Sequence, residues 1–173
     1  MTAARTADLA MQLDRGVNNT SLVLAFAFGD RRIVLFVGDA QVGNWLAWQD
    51  LTWGTGGGTV TGPDLLKRSV DLKVGHHGSH NAALKAKGLE LMNDPDLSAF
   101  IPVNETDTKK LGWKEMPLTD ILDALQARAG ARVVRADATW LAGGAIPAAL
   151  AHGGGSLKAV RCRPKLWVEF DIG

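Results

Sequence analysis

The sequence predicts an α/β protein with a mixed β-sheet flanked by helices. Five short apolar runs are typical of strands, and they lie at 20–28, 33–37, 70–74, 98–103 and 132–135. Segments with helical character separate most of these runs, as in layered α/β domains. The turn residues at 29–31 divide the first two runs, which predicts a hairpin and therefore a sheet that is not purely parallel. Because 20–28 is continuously apolar, we expect this strand to be buried on both faces.

Helices are predicted between and after these strands. Four segments combine helical spacing of apolar residues or good helix formers with start and stop signals, and they lie at 42–49, 64–68, 82–92 and 118–129. The last of them is preceded by Pro117 and closed by Gly130. The glycine-rich stretch 53–63 predicts a mobile loop or a linker. The end of the chain, 157–170, alternates around Pro164 and predicts two short strands or one bent edge strand.

Length and composition indicate a single globular domain. The chain has 173 residues, 46% of them hydrophobic and 21% charged, which excludes a disordered or fibrous protein. A formal net charge of +1 provides no strong field for nucleic acid or an anionic membrane. The single cysteine, Cys162, excludes an internal disulfide, and no apolar run approaches the roughly 20 residues of a membrane helix. The expected location is therefore the cytoplasm, without a membrane partner. Residues 1–17 are interpreted as a poorly ordered or helical lead-in to the domain.

Two polar clusters directly follow apolar strands. Asp39 lies between Gly38 and Ala40 after the second run, and His76 and His77 follow the third. Loops at strand ends hold side chains on a rigid base while leaving them open to substrate. Aspartate and histidine suit Zn²⁺ and similar divalent ions, and a bound ion makes hydroxide available as a nucleophile by lowering the pKa of its water towards 7. The pattern indicates a site built from metal-binding residue types.

The polar clusters also have a structural alternative. Asp39 alone could be the N-cap of the helix at 42–49. A double histidine with Gly, Ser and Asn in one loop is unusual for a purely structural turn, and this favours a site. His80 and His152 are expected at the surface, outside that site.

Two other motifs favour structural interpretations. The glycine run 54–58 could be a phosphate cradle, but no Lys-Ser or Lys-Thr follows it, so a linker is favoured. Trp45, Trp48 and Trp53 could stack on a base or a sugar, yet their spacing favours packing under the sheet.

Three strings resemble the second half of metallo-β-lactamase-fold hydrolases. They are N-N-T-S-L-V-L at 18–24, L-F-V-G-D-A at 35–40 and D-L-K-V-G-H-H-G-S at 71–79. The similarity is greatest to the branch that includes the hydrolase domain of bacterial DNA-uptake channels. The resemblance implies that 18–173 is the carboxy-terminal half of an αββα sandwich. It implies that Asp39 bridges two metal ions, with Zn²⁺ expected and Mn²⁺ as the alternative. Motif position favours His76 over His77 as the terminal ligand, and His77 then lies close to the substrate as the catalytic candidate.

The function implied by this resemblance is metal-dependent hydrolysis of an ester or phosphodiester bond. The expected substrate is a small molecule or a nucleotide-like phosphoester. Such enzymes also need an H-x-H-x-D-H cluster and a further histidine, whereas the histidines here are only four, His76, His77, His80 and His152. The chain is then a fragment, or a partner such as an amino-terminal half completes the site, or activity has been lost.

A second hypothesis comes from a different class of function. A non-catalytic remnant of the fold could act as an interaction or regulatory module. Half of a sheet sandwich exposes an apolar edge, so we expect either self-association through that edge or docking onto an amino-terminal partner.

Overall fold

Strands and short helices alternate along the computed structural model, which describes residues 20–29, 32–56, 58–80, 82–83, 87–113 and 115–173. The strands in this part of the chain are, in order, Leu24–Phe28 (β1), Arg32–Phe36 (β2), Thr52–Thr55 (β3), Gly58–Thr61 (β4), Ser69–Lys73 (β5), Ser98–Ile101 (β6), Val133–Arg135 (β7), Leu157–Arg163 (β8) and Trp167–Ile172 (β9). The α-helices are Val42–Ala47 (α1), Gly62–Lys67 (α2), Glu105–Lys110 (α3), Thr119–Ala129 (α4), Thr139–Gly143 (α5) and Ala148–Ala151 (α6). Single 3₁₀ turns lie at His76–Gly78, Leu89–Leu91 and Gly130–Arg132.

A five-stranded sheet with the order β1-β2-β5-β6-β7 forms the centre of the fold. β1 pairs with β2 antiparallel, with Phe26 opposite Val34, as the predicted hairpin requires. The other neighbours are parallel, so β2, β5, β6 and β7 all end at the same edge of the sheet. The predicted α/β class with a mixed sheet flanked by helices is therefore confirmed.

The two faces of this sheet are covered by different elements. One face, here called the helical face, carries Leu35, Leu72 and Ala99, and these pack in one core with residues of α1, α2 and α4. The opposite face, here called the hairpin face, is covered at its β6–β7 end by the β8–β9 hairpin and α6. The rings of Phe100 and Phe170 pack edge to face there, with their centroids 5.8 Å apart. Alternation along each strand assigns the residues to the two faces.

The prediction that 20–28 is a strand buried on both faces is wrong. Only Leu24–Phe28 is extended, and four of its five residues are exposed. β1 is the edge of the sheet, and the hairpin face beside it is not covered by any described element. An apolar run shows that a strand lacks charged residues, but it does not show whether another layer of the protein covers that strand.

The glycine-rich stretch 53–63 is not a loop or linker throughout. It contains most of the β3–β4 hairpin, in which Trp53 pairs with Val60. The strand preference of the β-branched residues at 52, 59, 60 and 61 exceeds the tendency of the glycines here to interrupt strands. Trp53 is exposed rather than packed under the sheet, whereas Trp45 is fully buried and Trp48 partly so.

The helix predicted at 82–92 is absent from the described residues 82–83 and 87–92, which contain only the 3₁₀ turn Leu89–Leu91. Ala82, Leu89 and Met92 are buried. The Ala82 carbonyl accepts a hydrogen bond from Trp45 Nε1 at 3.1 Å instead of a helical one. Tertiary burial and Gly88 therefore override local helix propensity.

The remaining predicted elements are confirmed with small shifts of their ends. The helices at 42–49, 64–68 and 118–129 correspond to α1, α2 and α4. The end of the chain, predicted at 157–170 as two short strands or one bent strand, forms the two strands β8 and β9. The lead-in 1–17 lies outside the described residues. Within the described part of the chain, each helix is too short or too polar to cross a lipid bilayer.

Candidate functional site

Asp39 and the two histidines lie at the shared carboxyl edge of the parallel strands. Asp39 is in the turn after β2, and His76 and His77 form the turn after the neighbouring strand β5. In α/β sheets this edge is the usual position of reactive groups. The topology thus brings together the two clusters that the sequence places far apart.

A direct backbone contact joins the two turns. The His76 N–H donates to the Gly38 carbonyl at 3.3 Å, and Asp39 is the next residue after that carbonyl. A Cβ on Gly75 would lie 2.7 Å from the same oxygen and 2.8 Å from Val37 Cγ2. Such distances are not tolerated, so the absence of a side chain at 75 lets the backbones of Asp39 and His76 lie next to each other.

The histidine turn has a left-handed backbone. His76 and His77 have φ values of 45° and 55°, and Gly78 follows with 73°. Two hydrogen bonds close the turn, from Gly78 N–H to the Gly75 carbonyl at 2.9 Å and from Ser79 N–H to the His76 carbonyl at 3.0 Å. Left-handed conformations in residues other than glycine cost of order 1–3 kcal/mol each and cluster at functional sites. The strain points to a role for these two imidazoles.

His77 is held in one tautomer. Its Nδ1 lies 2.6 Å from the carbonyl oxygen of Pro102, at the end of β6. A carbonyl can only accept, so Nδ1 carries the proton and the neutral ring keeps its lone pair on Nε2. This is how histidines that bind metals or accept protons are oriented.

His76 is oriented by a serine. Its Nδ1 lies 2.7 Å from the Oγ of Ser79, which is buried. A hydroxyl can donate or accept, so Nε2 of His76 is free to bind a cation when Nδ1–H donates to Ser79. Ser79 was not singled out in the sequence, although it stands three residues after His76 in the same H-H-G-S string.

Asp39 is not the N-cap of α1. That position belongs to Gln41, whose N–H is bonded to the Asn44 side chain at 3.0 Å. The Asp39 N–H donates to Ser21 Oγ at 3.1 Å. No described residue forms a hydrogen bond or an ion pair with the Asp39 carboxylate. The exposed carboxylate is therefore available to a ligand.

These donors do not form a complete metal site by themselves. The described residues contain no group of three or more His, Cys, Asp or Glu side chains that could hold an ion. His80 and His152 are exposed, as predicted, and neither joins Asp39 and His76. Aspartate and histidine are residue types that Zn²⁺ sites use.

The loops after β6 and β7 are fixed by a charged cluster. The Glu105 N–H donates to the Asp137 carboxylate at 2.8 Å, and Arg135 bonds both Asp137 and Glu105 at 2.8 Å. The Arg135 hydrogen bond lowers the pKa of Glu105. This cluster supports the segment that carries the Pro102 carbonyl and, with it, the His77 ring.

A buried carboxyl lies in the same motif but inside the sheet. Asp71 is in the middle of β5, on the hairpin face, and is 6% exposed. Burial raises its pKa to about 6, against the opposing effect of the Ser98 hydroxyl, which donates at 2.6 Å. Nothing in the sequence distinguishes Asp71 from other residues of a predicted strand.

Comparison of the chain with known protein families, with curated proteins and with solved structures finds no match.

Proposed function

We propose that this chain is part of a metal-dependent hydrolase of metallo-β-lactamase type that cleaves an ester or phosphodiester bond. Asp39 and His76 hold a divalent cation, Zn²⁺ in the first instance, together with ligands from outside the described residues. The observation that carries the proposal is the contact between the turns after β2 and β5, which brings the backbones of Asp39 and His76 next to each other. A bound cation supplies Lewis acidity and lowers the pKa of its water.

The residues of this chain have distinct parts in the reaction. Asp39, with no hydrogen bond or ion pair recorded for its carboxylate in the described chain, contributes negative charge to the cation. Ser79 fixes the ring of His76 through Nδ1. The Nδ1–H of His77 is bonded to the Pro102 carbonyl, so Nε2 is the ring nitrogen left for proton transfer. A protonated His77 can then donate from Nε2 to the departing oxygen, which is general acid catalysis.

Metal content tests this proposal. The purified chain, loaded with Zn²⁺ and desalted, is compared with Asp39→Ala and His76→Ala by elemental analysis. We expect metal in the wild-type chain and a loss of most of it in both variants, since each removes a donor. His152→Ala is the matched control, because His152 is exposed and distant in sequence from both turns. Equal metal content in all four proteins would refute the assignment.

The second candidate is an interaction module, and the uncovered end of the hairpin face favours it. The side chains there form the β1 surface, defined as Leu22, Leu24, Phe26 and Phe36, with exposures of 73%, 40%, 53% and 39%. The rings of Phe26 and Phe36 pack edge to face, with their centroids 5.8 Å apart. β1 itself carries no charge that would oppose pairing with another chain. Contiguous apolar surface of this kind marks interaction sites.

Sedimentation analysis tests self-association through the β1 surface. We expect the average mass of the wild-type chain to rise with concentration and Phe26→Lys to remain monomeric. Trp167→Lys is the control, since Trp167 is similarly exposed on β9. A wild-type chain that is monomeric at all concentrations, or one that associates as strongly after Phe26→Lys, would contradict self-association.

A further inference from the structure

Beside His77 lies an exposed tryptophan that the proposed reaction leaves without a part. Trp113 is 48% exposed, and its ring centroid is 6.3 Å from that of His77 at an interplanar angle of 35°. Leu111, two residues before it, is 64% exposed. Tryptophan buries a large apolar surface when it has a structural role, as the fully buried Trp45 does here. An exposed one beside a candidate catalytic group therefore needs another explanation.

The backbone of Trp113 is fixed rather than loose. After α3, the Trp113 N–H donates to the Thr108 carbonyl at 3.0 Å and the Gly112 N–H donates to the Lys109 carbonyl at 3.1 Å. Gly112 has a φ of 70°. These two bonds and the left-handed glycine form a Schellman motif, which ends a helix in one defined geometry. The ring is consequently presented from a rigid position.

The segment that follows Trp113 is also attached to the histidine turn. The Leu118 N–H donates to the Gly78 carbonyl at 2.8 Å. A Cβ on Gly78 would lie 2.8 Å from Pro117 Cβ, so the two backbones are in close contact. The segment that carries Trp113 is thus attached to α3 at its start and to Gly78 of the histidine turn at its end.

A Schellman motif often places an apolar residue at this position, where it packs back on the helix. That accounts for an apolar side chain at 113, but not for its exposure or for its contact with His77. We infer that the Trp113 ring is a platform beside His77 that binds the planar aromatic ring of a phosphoester substrate, such as a nucleobase. This inference rests on the proposed function, because it names the substrate class of that same site.

Stacking on an exposed aromatic side chain needs no sequence-specific hydrogen bonds, since every base has a flat apolar face. From the usual strength of base–aromatic stacking, removal of the Trp113 ring should weaken binding by about 5- to 150-fold. A phosphoester without a ring should gain nothing from Trp113. A comparison of a phosphoester that carries an aromatic ring with one that lacks it therefore measures the contribution of the Trp113 platform.

The test measures binding of AMP, phenyl phosphate and ribose 5-phosphate to the full chain by titration calorimetry, with Zn²⁺ and with a chelator. We expect AMP to bind at least about fivefold tighter than ribose 5-phosphate, a preference that Trp113→Phe keeps and Trp113→Ala abolishes. Trp167→Ala, at the exposed tryptophan of β9, should leave the preference unchanged. Phenyl phosphate that binds like AMP would support a platform for any aryl ring, and one that binds like ribose 5-phosphate would support a nucleobase.

Three results would overturn the inference: no binding of AMP to the wild-type chain, equal affinities for AMP and ribose 5-phosphate, or an unchanged preference in Trp113→Ala. Circular dichroism of each variant confirms that it is folded. The outcome is separable from that of the proposed function. A preference that depends on Trp113 in a chain that retains no metal would leave the platform standing without the hydrolase, and the converse result would leave the hydrolase without the platform.

Discussion

The conformation of two side chains, His76 and His77, determines what this site can do. Their backbone is left-handed, the Nδ1 of His76 is bonded to Ser79, and the Nδ1 of His77 is bonded to the Pro102 carbonyl. The positions of Asp39, His76 and His77 at strand ends could be predicted from the sequence, because a polar cluster after an apolar run is visible there. The tautomer of His77 could not, because Pro102 is 25 residues from His77.

The contact between Ser79 and His76 leads to a prediction about metal affinity. Ser79→Ala removes the hydroxyl that can accept the Nδ1 proton of His76, so we expect Zn²⁺ affinity to fall by about 10- to 100-fold. Competition with a chelating dye measures this affinity. Ser69→Ala is the control, since Ser69 is also buried but bonds the Leu65 carbonyl in another part of the fold. Equal losses in the two variants would show that Ser79 has no specific effect on the metal.

Asp71 leads to a prediction about stability and pH. Its pKa is raised from 3.8 to about 6 because burial disfavours the charged form. The folded state therefore binds the proton more tightly than the unfolded state does. Stability from this group is complete below about pH 4 and is lost as the pH rises through about 6. A difference of about two pKa units between the folded and unfolded states corresponds to about 3 kcal/mol in the free energy of unfolding.

Asp71→Asn removes this titration. We expect the free energy of unfolding of the variant, relative to the wild type, to rise by about 3 kcal/mol between about pH 4 and about pH 8. Urea denaturation at several pH values measures it, with Asp50→Asn as an exposed control. A difference between Asp71→Asn and wild type that is the same at every pH would contradict the raised pKa.

The junction of β2 and β5 is the structural element on which the site depends. Gly75 allows the turns after these strands to touch, and the strands themselves are parallel neighbours in register through Leu35 and Leu72. Strands and the long helix α4 could be predicted because period and capping signals are local. The described residues of the segment 82–92 could not, because Ala82 bonds Trp45, and Leu89 and Met92 are buried, so that tertiary contacts rather than helix propensity shape their backbone.

Gly75→Ala tests this junction. The added Cβ would be too close to Gly38 and Val37, so we expect a loss of about 1–3 kcal/mol in stability and weaker Zn²⁺ binding, because the two turns must separate. Thermal unfolding and metal titration measure the two effects. Gly143→Ala is the control, because a Cβ there meets nothing within 4 Å. A Gly75→Ala chain as stable as Gly143→Ala would show that the turns are not in close contact.

The fold as a whole is a sheet with one face covered by helices and the other covered only at its β6–β7 end. The class and the hairpin could be predicted from the alternation of elements. The exposure of β1 could not, because an apolar run is the same whether or not a further layer covers it. The uncovered β1 surface supports the proposal that a partner packs on this end of the hairpin face.

The proposed function requires Asp39 and His76 to bind the same cation. The ¹⁵N resonances of the His76 ring during a Zn²⁺ titration of the wild-type chain and of Asp39→Ala show whether they do. We predict a saturable shift of the His76 Nε2 resonance in the wild type, and a shift that needs about tenfold or more Zn²⁺ in the variant. An Nε2 resonance that does not move in the wild type, or that moves at the same Zn²⁺ concentration without the Asp39 carboxylate, would contradict a shared ion.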